Sequence, residues 1–187
     1  MVFETIIRYY ESLFRHIPIH VFQVEIAVIT IIVSLITYRK GVCAGRKEIF
    51  LTLLAGYVFL IFCYTVVFRV EGKATGLALM PFWSYSSYFS GADDTLLGEN
   101  LMNIFVFIPV GMFLCLVYPN ISAKKIIVIG SLLSISIEIS QFVFKRGLCE
   151  ADDVIHNSLG CFLGYIIVYI IQFARRNFPN RILTSAK

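Results

Sequence analysis

Charge is scarce in this sequence. Asp, Glu, Lys and Arg supply 15% of its 187 residues, against about a quarter in an ordinary soluble domain. Hydrophobic residues supply 58% and the mean hydropathy is +0.82, so the solvent around most of the chain is lipid. There is no P-loop, no HExxH and no GxSxG, and nothing in the pattern identifies a nucleophile. The five cysteines (Cys43, Cys63, Cys115, Cys149, Cys161) form neither CxxC nor CxxxC, which argues against a disulfide framework or a zinc site and for free structural thiols. The basic residues flank apolar runs and gather into no single patch, which excludes nucleic acid as a partner. The N-terminus has no basic n-region and no small-residue cleavage site, and Glu4 comes early, so we expect no cleaved signal peptide.

What the chain does have is apolar runs and aromatics, with 17 Phe and 10 Tyr. They predict an all-α integral membrane protein of about five transmembrane helices, with an amphipathic helix at its N-terminus. In residues 1–18, Phe3, Ile6, Ile7, Tyr10, Leu13, Phe14 and Ile17 share one helical face, opposed by Glu4, Arg8, Glu11, Arg15 and His16. This is a helix lying in the interface plane or packed on its neighbours, ended by Pro18. Residues 19–69 hold two spans (19–38 and 49–68) joined by a short basic loop, each long enough for a hydrocarbon layer of about 30 Å at about 1.5 Å per residue. Residues 70–100 are the one long loop, with an aromatic centre of Trp83, Tyr85, Tyr88 and Phe89. We expect an ordered cap there, with a short helix or re-entrant turn near 81–89. Three further spans follow at 101–118, 126–144 and 154–173, the first interrupted by Pro109 and the last bearing Gly160 and Gly164 at GxxxG spacing. Residues 174–187 form a basic tail.

The distribution of Lys and Arg orients these spans. The loop at 39–47, the turn at Lys124 and Lys125, and the tail hold ten; the N-terminal segment, the long loop together with Arg69, and the linker after 144 hold six. The positive-inside rule places the first group in the cytoplasm and the N-terminus outside, in a multi-pass protein of the plasma membrane. With that topology Asn103, Glu138, Gln141, Asp153 and Asn157 converge on the outer side beneath the long loop.

The stretch 138–157, EISQFVFKRGLCEADDVIHN, is the polar centre of the chain. Glu138 and Gln141 lie one helical turn apart, as do Asp153 and Asn157, at the ends of two otherwise apolar runs. Ionisable groups in or against hydrocarbon are costly and normally face protein or water. Each also has a structural reading. Asn103 and Asn157 can hydrogen-bond across helices, Glu138 can pair with Arg146 or Lys145, Asp153 can cap the last span, and Asp152 reads as solvated. Together the set points to a polar pocket, with Glu138 and Asp153 as candidate acid and base. Asn103, Gln141, Arg146, Glu150, Asp152, His156 and Asn157 are the candidate ligand-binding groups. Glu150, Asp152 and Asp153 offer a place for a divalent metal; the sequence specifies no cofactor.

Four elements carry a family resemblance: Met80-Pro81-Phe82, Asn103-Ile-Phe-Val-Phe-Ile-Pro-Val-Gly111, Ile137-Glu-Ile-Ser-Gln141, and Gly147 through Asp153-Val-Ile-His-Asn157-Ser-Leu-Gly160. In this order and spacing they resemble the VanZ-like membrane proteins over roughly 79–165, within a VanZ-like region of 70–173. Glu150 stands where that family usually carries Asp, which keeps the charge on a longer arm. The resemblance implies lowered susceptibility to glycopeptide antibiotics, lipid-tailed ones such as teicoplanin in particular, and supplies no mechanism. The expected partners are membrane lipids and an amphiphile, either a lipoglycopeptide or a lipid-linked envelope precursor. The expected activity is binding at the pocket, with intramembrane acid–base catalysis on a lipid-linked substrate as the alternative. A small transporter fits less well, because no internal repeat is visible.

Overall fold

A computed structural model describes residues 47–67, 69, 76–93 and 95–177. The interfacial helix expected over 1–18 and the span expected over 19–38 lie outside the described residues. Within them, four helices are long and apolar enough to cross a membrane: Ile49–Val67, Leu96–Val117, Ala123–Val143 and Ala151–Asn177. This fits a multi-pass membrane protein.

The first, α1 (Lys47–Phe62), continues into a five-residue π-helical segment, Cys63–Val67. Its Thr65 hydroxyl donates back to the Ile61 carbonyl at 2.9 Å. Next comes strand β1 (Gly76–Ala78), then a two-turn helix, α2 (Trp83–Phe89), inside the expected 81–89 window. The aromatic loop is therefore ordered over these segments.

Helix α3 (Leu96–Val117) begins five residues before the apolar run suggests, because Leu96 is buried and starts the helix in what reads as loop. It is the most enclosed of the four spans, with every residue from Val106 to Val117 buried. A helix apolar on all sides belongs in a core. Pro109 sits inside it, and the Tyr57 hydroxyl donates to the neighbouring Val106 carbonyl at 2.9 Å. Helix α4 (Ala123–Val143) is capped by Ser122, whose side chain accepts from the Lys125 amide. Helix α5 (Ala151–Asn177) carries Asp152 and Asp153 in its first turn and Arg175 and Arg176 in its last, the favourable signs for the helix dipole.

Glycines let α3 and α5 nearly touch. A Cβ on Gly160 would lie 2.3 Å from the Ile104 carbonyl oxygen, and one on Gly164 would lie 2.2 Å from that of Ile108. From the other side, a Cβ on Gly111 would lie 2.0 Å from the Cys161 carbonyl oxygen. The GxxxG expectation holds, with α3 as the partner.

The linker between α4 and α5 holds strand β2 (Leu148–Glu150), which pairs in parallel with β1. Leu77 lies opposite Cys149 and Ala78 opposite Glu150. This two-stranded ribbon ties the long loop to the linker at the end of the bundle where α1 and α4 finish and α3 and α5 begin.

Candidate functional site

At that end a cavity of about 260 Å³ opens among α1, α3, α4 and α5. Its polar wall consists of Tyr64, Thr65, Arg69, Glu99, Asn103, Glu138, Gln141, Asp153 and Asn157; Ile61, Met102, Val106, Phe107 and Ile137 supply the apolar side.

Helical spacing explains which residues arrive there. Residues four apart share a face and adjacent ones diverge. On α5, Asp153 and Asn157 face the cavity. Asp152 and His156, one position earlier, turn to α2 instead. On α4, Ser134, Glu138 and Gln141 are buried on one side.

The hydrogen bonds follow this division. The Asn103 amide donates to Asp153 Oδ1 at 2.7 Å. The Asn157 amide donates to Ser134 Oγ at 2.8 Å. Gln141 Nε2 donates to the Thr65 carbonyl at 3.0 Å, in the π-helical segment that follows α1. Glu138 Oε2 accepts from the Glu150 backbone N–H at 2.8 Å, and Asp153 lines the same cavity wall. Gln141 Oε1 and Asn157 Oδ1 are buried and meet no partner among the described residues.

Just outside the spans, burial pushes the Glu150 carboxyl up to about 7, and the charges of Asp153 and Glu99 push the same way while that of Arg69 opposes them. Burial also raises the pKa of the Cys149 thiol, helped by Glu138, Asp153 and Glu150.

Residues 49–172 match the VanZ/LLP1 family. The chain belongs to that family. It is 28% identical over 125 residues to Protein VanZ of Enterococcus faecium, an alignment covering 67% of this chain and 72% of that one. No solved structure matches it. The VanZ/LLP1 match takes in the whole of the cavity wall, including α1, which lies outside the four elements that carry the resemblance.

Several sequence expectations for this VanZ-family chain need correction. Asp152 is not solvated: it is fully buried and accepts from the backbone N–H groups of Phe82 and Ser84 and from the Ser84 hydroxyl. Ser84 accepts in turn from Asn100. Phe82, held in the left-handed region at φ 64°, is thus clamped by a carboxylate on α5. His156 Nε2 lies 2.8 Å from the Tyr85 hydroxyl. Asp152 and His156 therefore anchor α2 and do not line the cavity.

Glu138 is not the partner of Arg146 or Lys145. Its partner is the Glu150 amide, because the linker folds back over the end of α4. Arg146 donates to the Arg69 carbonyl at 2.8 Å, and Lys145 is exposed at φ 55°. Glu150, Asp152 and Asp153 do not gather around one point: among the described residues no group of three or more His, Cys, Asp or Glu is placed to hold a metal ion. Asp152 faces away. Of the long loop expected as a roof, the described residues 76–93 do not line the cavity, and Glu99 does, from the first turn of α3.

Sequence reasoning missed Arg69, Glu99, Tyr64 and Thr65. Glu99 and Asn103 are four apart and would have shown as a pair had the start of α3 been placed at Leu96. Arg69 reads only as the charge that closes a span.

Proposed function

We propose that this VanZ-family membrane protein binds the head of an amphiphile in the cavity, and that binding contributes to glycopeptide or teicoplanin resistance or to upkeep of the cell envelope. One observation carries the reading: Gln141 Oε1 and Asn157 Oδ1 are buried without partners beside Glu138 and Asp153. An unsatisfied buried acceptor costs about 1–3 kcal/mol, so two together favour a site kept open for a guest. Size restricts the guest. A cavity of about 260 Å³ falls below the roughly 300–1,000 Å³ of sites that enclose drug-sized molecules. It fits the headgroup of a lipid-linked precursor, or one appendage of a lipoglycopeptide, with the remainder in the bilayer or outside.

The placement of Glu138 and Asp153 on one cavity wall favours a second reading, acid–base catalysis on a lipid-linked substrate, since two neighbouring carboxyls can serve as acid and base. One experiment tests both: purified protein is incubated with total envelope lipid or teicoplanin, and retained ligand and new lipid products are read by mass spectrometry. Retention of an unchanged molecule, lost in Asn157→Ala, supports binding. A new product lost in Glu138→Gln supports catalysis. Neither retention nor product removes both.

A further inference from the structure

The chemistry of the cavity points to one kind of headgroup. Two residues that line the cavity, Gln141 and Asn157, each hold a buried side-chain oxygen with no partner among the described residues, and Oε1 and Oδ1 are both acceptors. The orientation of Gln141 follows from its neighbour: Nε2 meets the Thr65 carbonyl, which can only accept, so the oxygen is the free end. Charge agrees. Glu99, Glu138 and Asp153 line the cavity with Arg69, three acidic side chains to one basic.

We propose that the cavity takes the protonated primary ammonium group of an amphiphile. An ammonium has three donors and no acceptor. Its donors match Gln141 Oε1, Asn157 Oδ1 and a carboxylate oxygen of Asp153, and its charge offsets the acidic excess. Ile61, Met102 and Val106 supply apolar surface for the adjoining methylenes. A quaternary ammonium carries the charge without the donors and leaves both amide oxygens unpaired. A phosphate brings acceptors to acceptors and a negative charge to an acidic wall. The proposal rests on the amphiphile-binding reading and goes beyond it in naming the chemical class.

The test uses the full-length protein in nanodiscs holding equal parts of phosphatidylethanolamine, phosphatidylcholine and phosphatidylglycerol with identical acyl chains. Retained lipids are counted by native mass spectrometry. A hydrogen bond to a charged group is enough for about tenfold discrimination, so phosphatidylethanolamine is expected about tenfold over phosphatidylcholine, with N-methyl phosphatidylethanolamine between them and phosphatidylglycerol lowest. Gln141→Met, which keeps length and removes the acceptor, brings phosphatidylethanolamine toward the phosphatidylcholine level, and Asn157→Asp, which keeps an acceptor, preserves the preference. Should Gln141→Met fail to fold, the graded methylation series on the unmodified chain decides the matter alone. Equal retention of ethanolamine and choline lipids above glycerol lipid means recognition by charge only and overturns the donor argument. Preferential retention of phosphatidylglycerol overturns the ammonium and leaves an amphiphile site. Retention of all three at the level of bulk bilayer overturns the ammonium and the amphiphile site together.

Discussion

At the scale of single residues, neighbouring acids on α5 have different work. Asp152 is committed to three donors on α2. Asp152→Asn places an amide N–H where N–H groups already point, and the loss of charged hydrogen bonds predicts destabilisation of about 2–3 kcal/mol, read as a lower melting temperature in detergent. Glu138→Gln is a milder change, since an amide oxygen can still accept from the Glu150 N–H. We expect melting near wild type with loss of the ligand binding or catalysis proposed for the cavity; an unchanged activity would remove any role for Glu138 as a charge. Glu150 supplies a pH dependence. Its pKa rises from 4.5 to about 7 on folding, so the folded state holds the extra proton between those values, and this group's contribution to stability falls as pH rises through that window. Glu150→Gln should flatten the decline of melting temperature between about pH 4.5 and 7. Sequence alone located Asp153, Asn157, Glu138 and Gln141 in one polar site. It could not tell that Asp152 faces α2, because a charge beside a helix start looks alike whether it points to water or to a backbone turn 70 residues away.

At the scale of elements, small residues decide how helices meet. Gly111, Gly160 and Gly164 are each placed where a Cβ would lie within 2.3 Å of a backbone carbonyl oxygen, and backbone cannot give way as a flexible side chain can. Gly164→Ala should therefore cost about 1–3 kcal/mol or more through overpacking, whereas Gly98→Ala, with no described atom within 4 Å of the new Cβ, should be neutral or stabilising by up to about 1 kcal/mol. Equal melting temperatures for the two variants would contradict the close approach of α3 and α5. The GxxxG spacing announced that approach, and the apolar runs announced four helices to within a few residues. The ribbon of β1 and β2 was not legible. Three residues per strand leave no alternation to read, and the pairing joins positions 72 residues apart, Gly76 with Leu148.

At the scale of the molecule, the two ends differ in chemistry, and this difference makes a prediction about the side from which the cavity is reached. Lys47, Lys124, Lys125, Arg175 and Arg176 gather where α1 and α4 start and α3 and α5 finish; Glu99, Glu138, Glu150, Asp152 and Asp153 gather at the opposite end. The sequence bias of Lys and Arg supports a cytoplasmic basic end and an outer cavity. Labelling with a membrane-impermeant maleimide checks it in a chain stripped of native cysteines. Cys149 is a poor reporter, since it is partly buried and its thiol is raised by burial and three acids, which lowers the reactive thiolate fraction. Ala92→Cys in the exposed turn after α2 and Lys124→Cys at the start of α4 are better placed. Ala92→Cys should label in intact cells and Lys124→Cys only after permeabilisation. The reverse pattern would turn the cavity to the cytoplasm, where it would meet inner-leaflet lipid and no antibiotic that acts from outside. The ammonium proposal would survive that result, since it concerns which headgroup fits; direct contact with a glycopeptide would not.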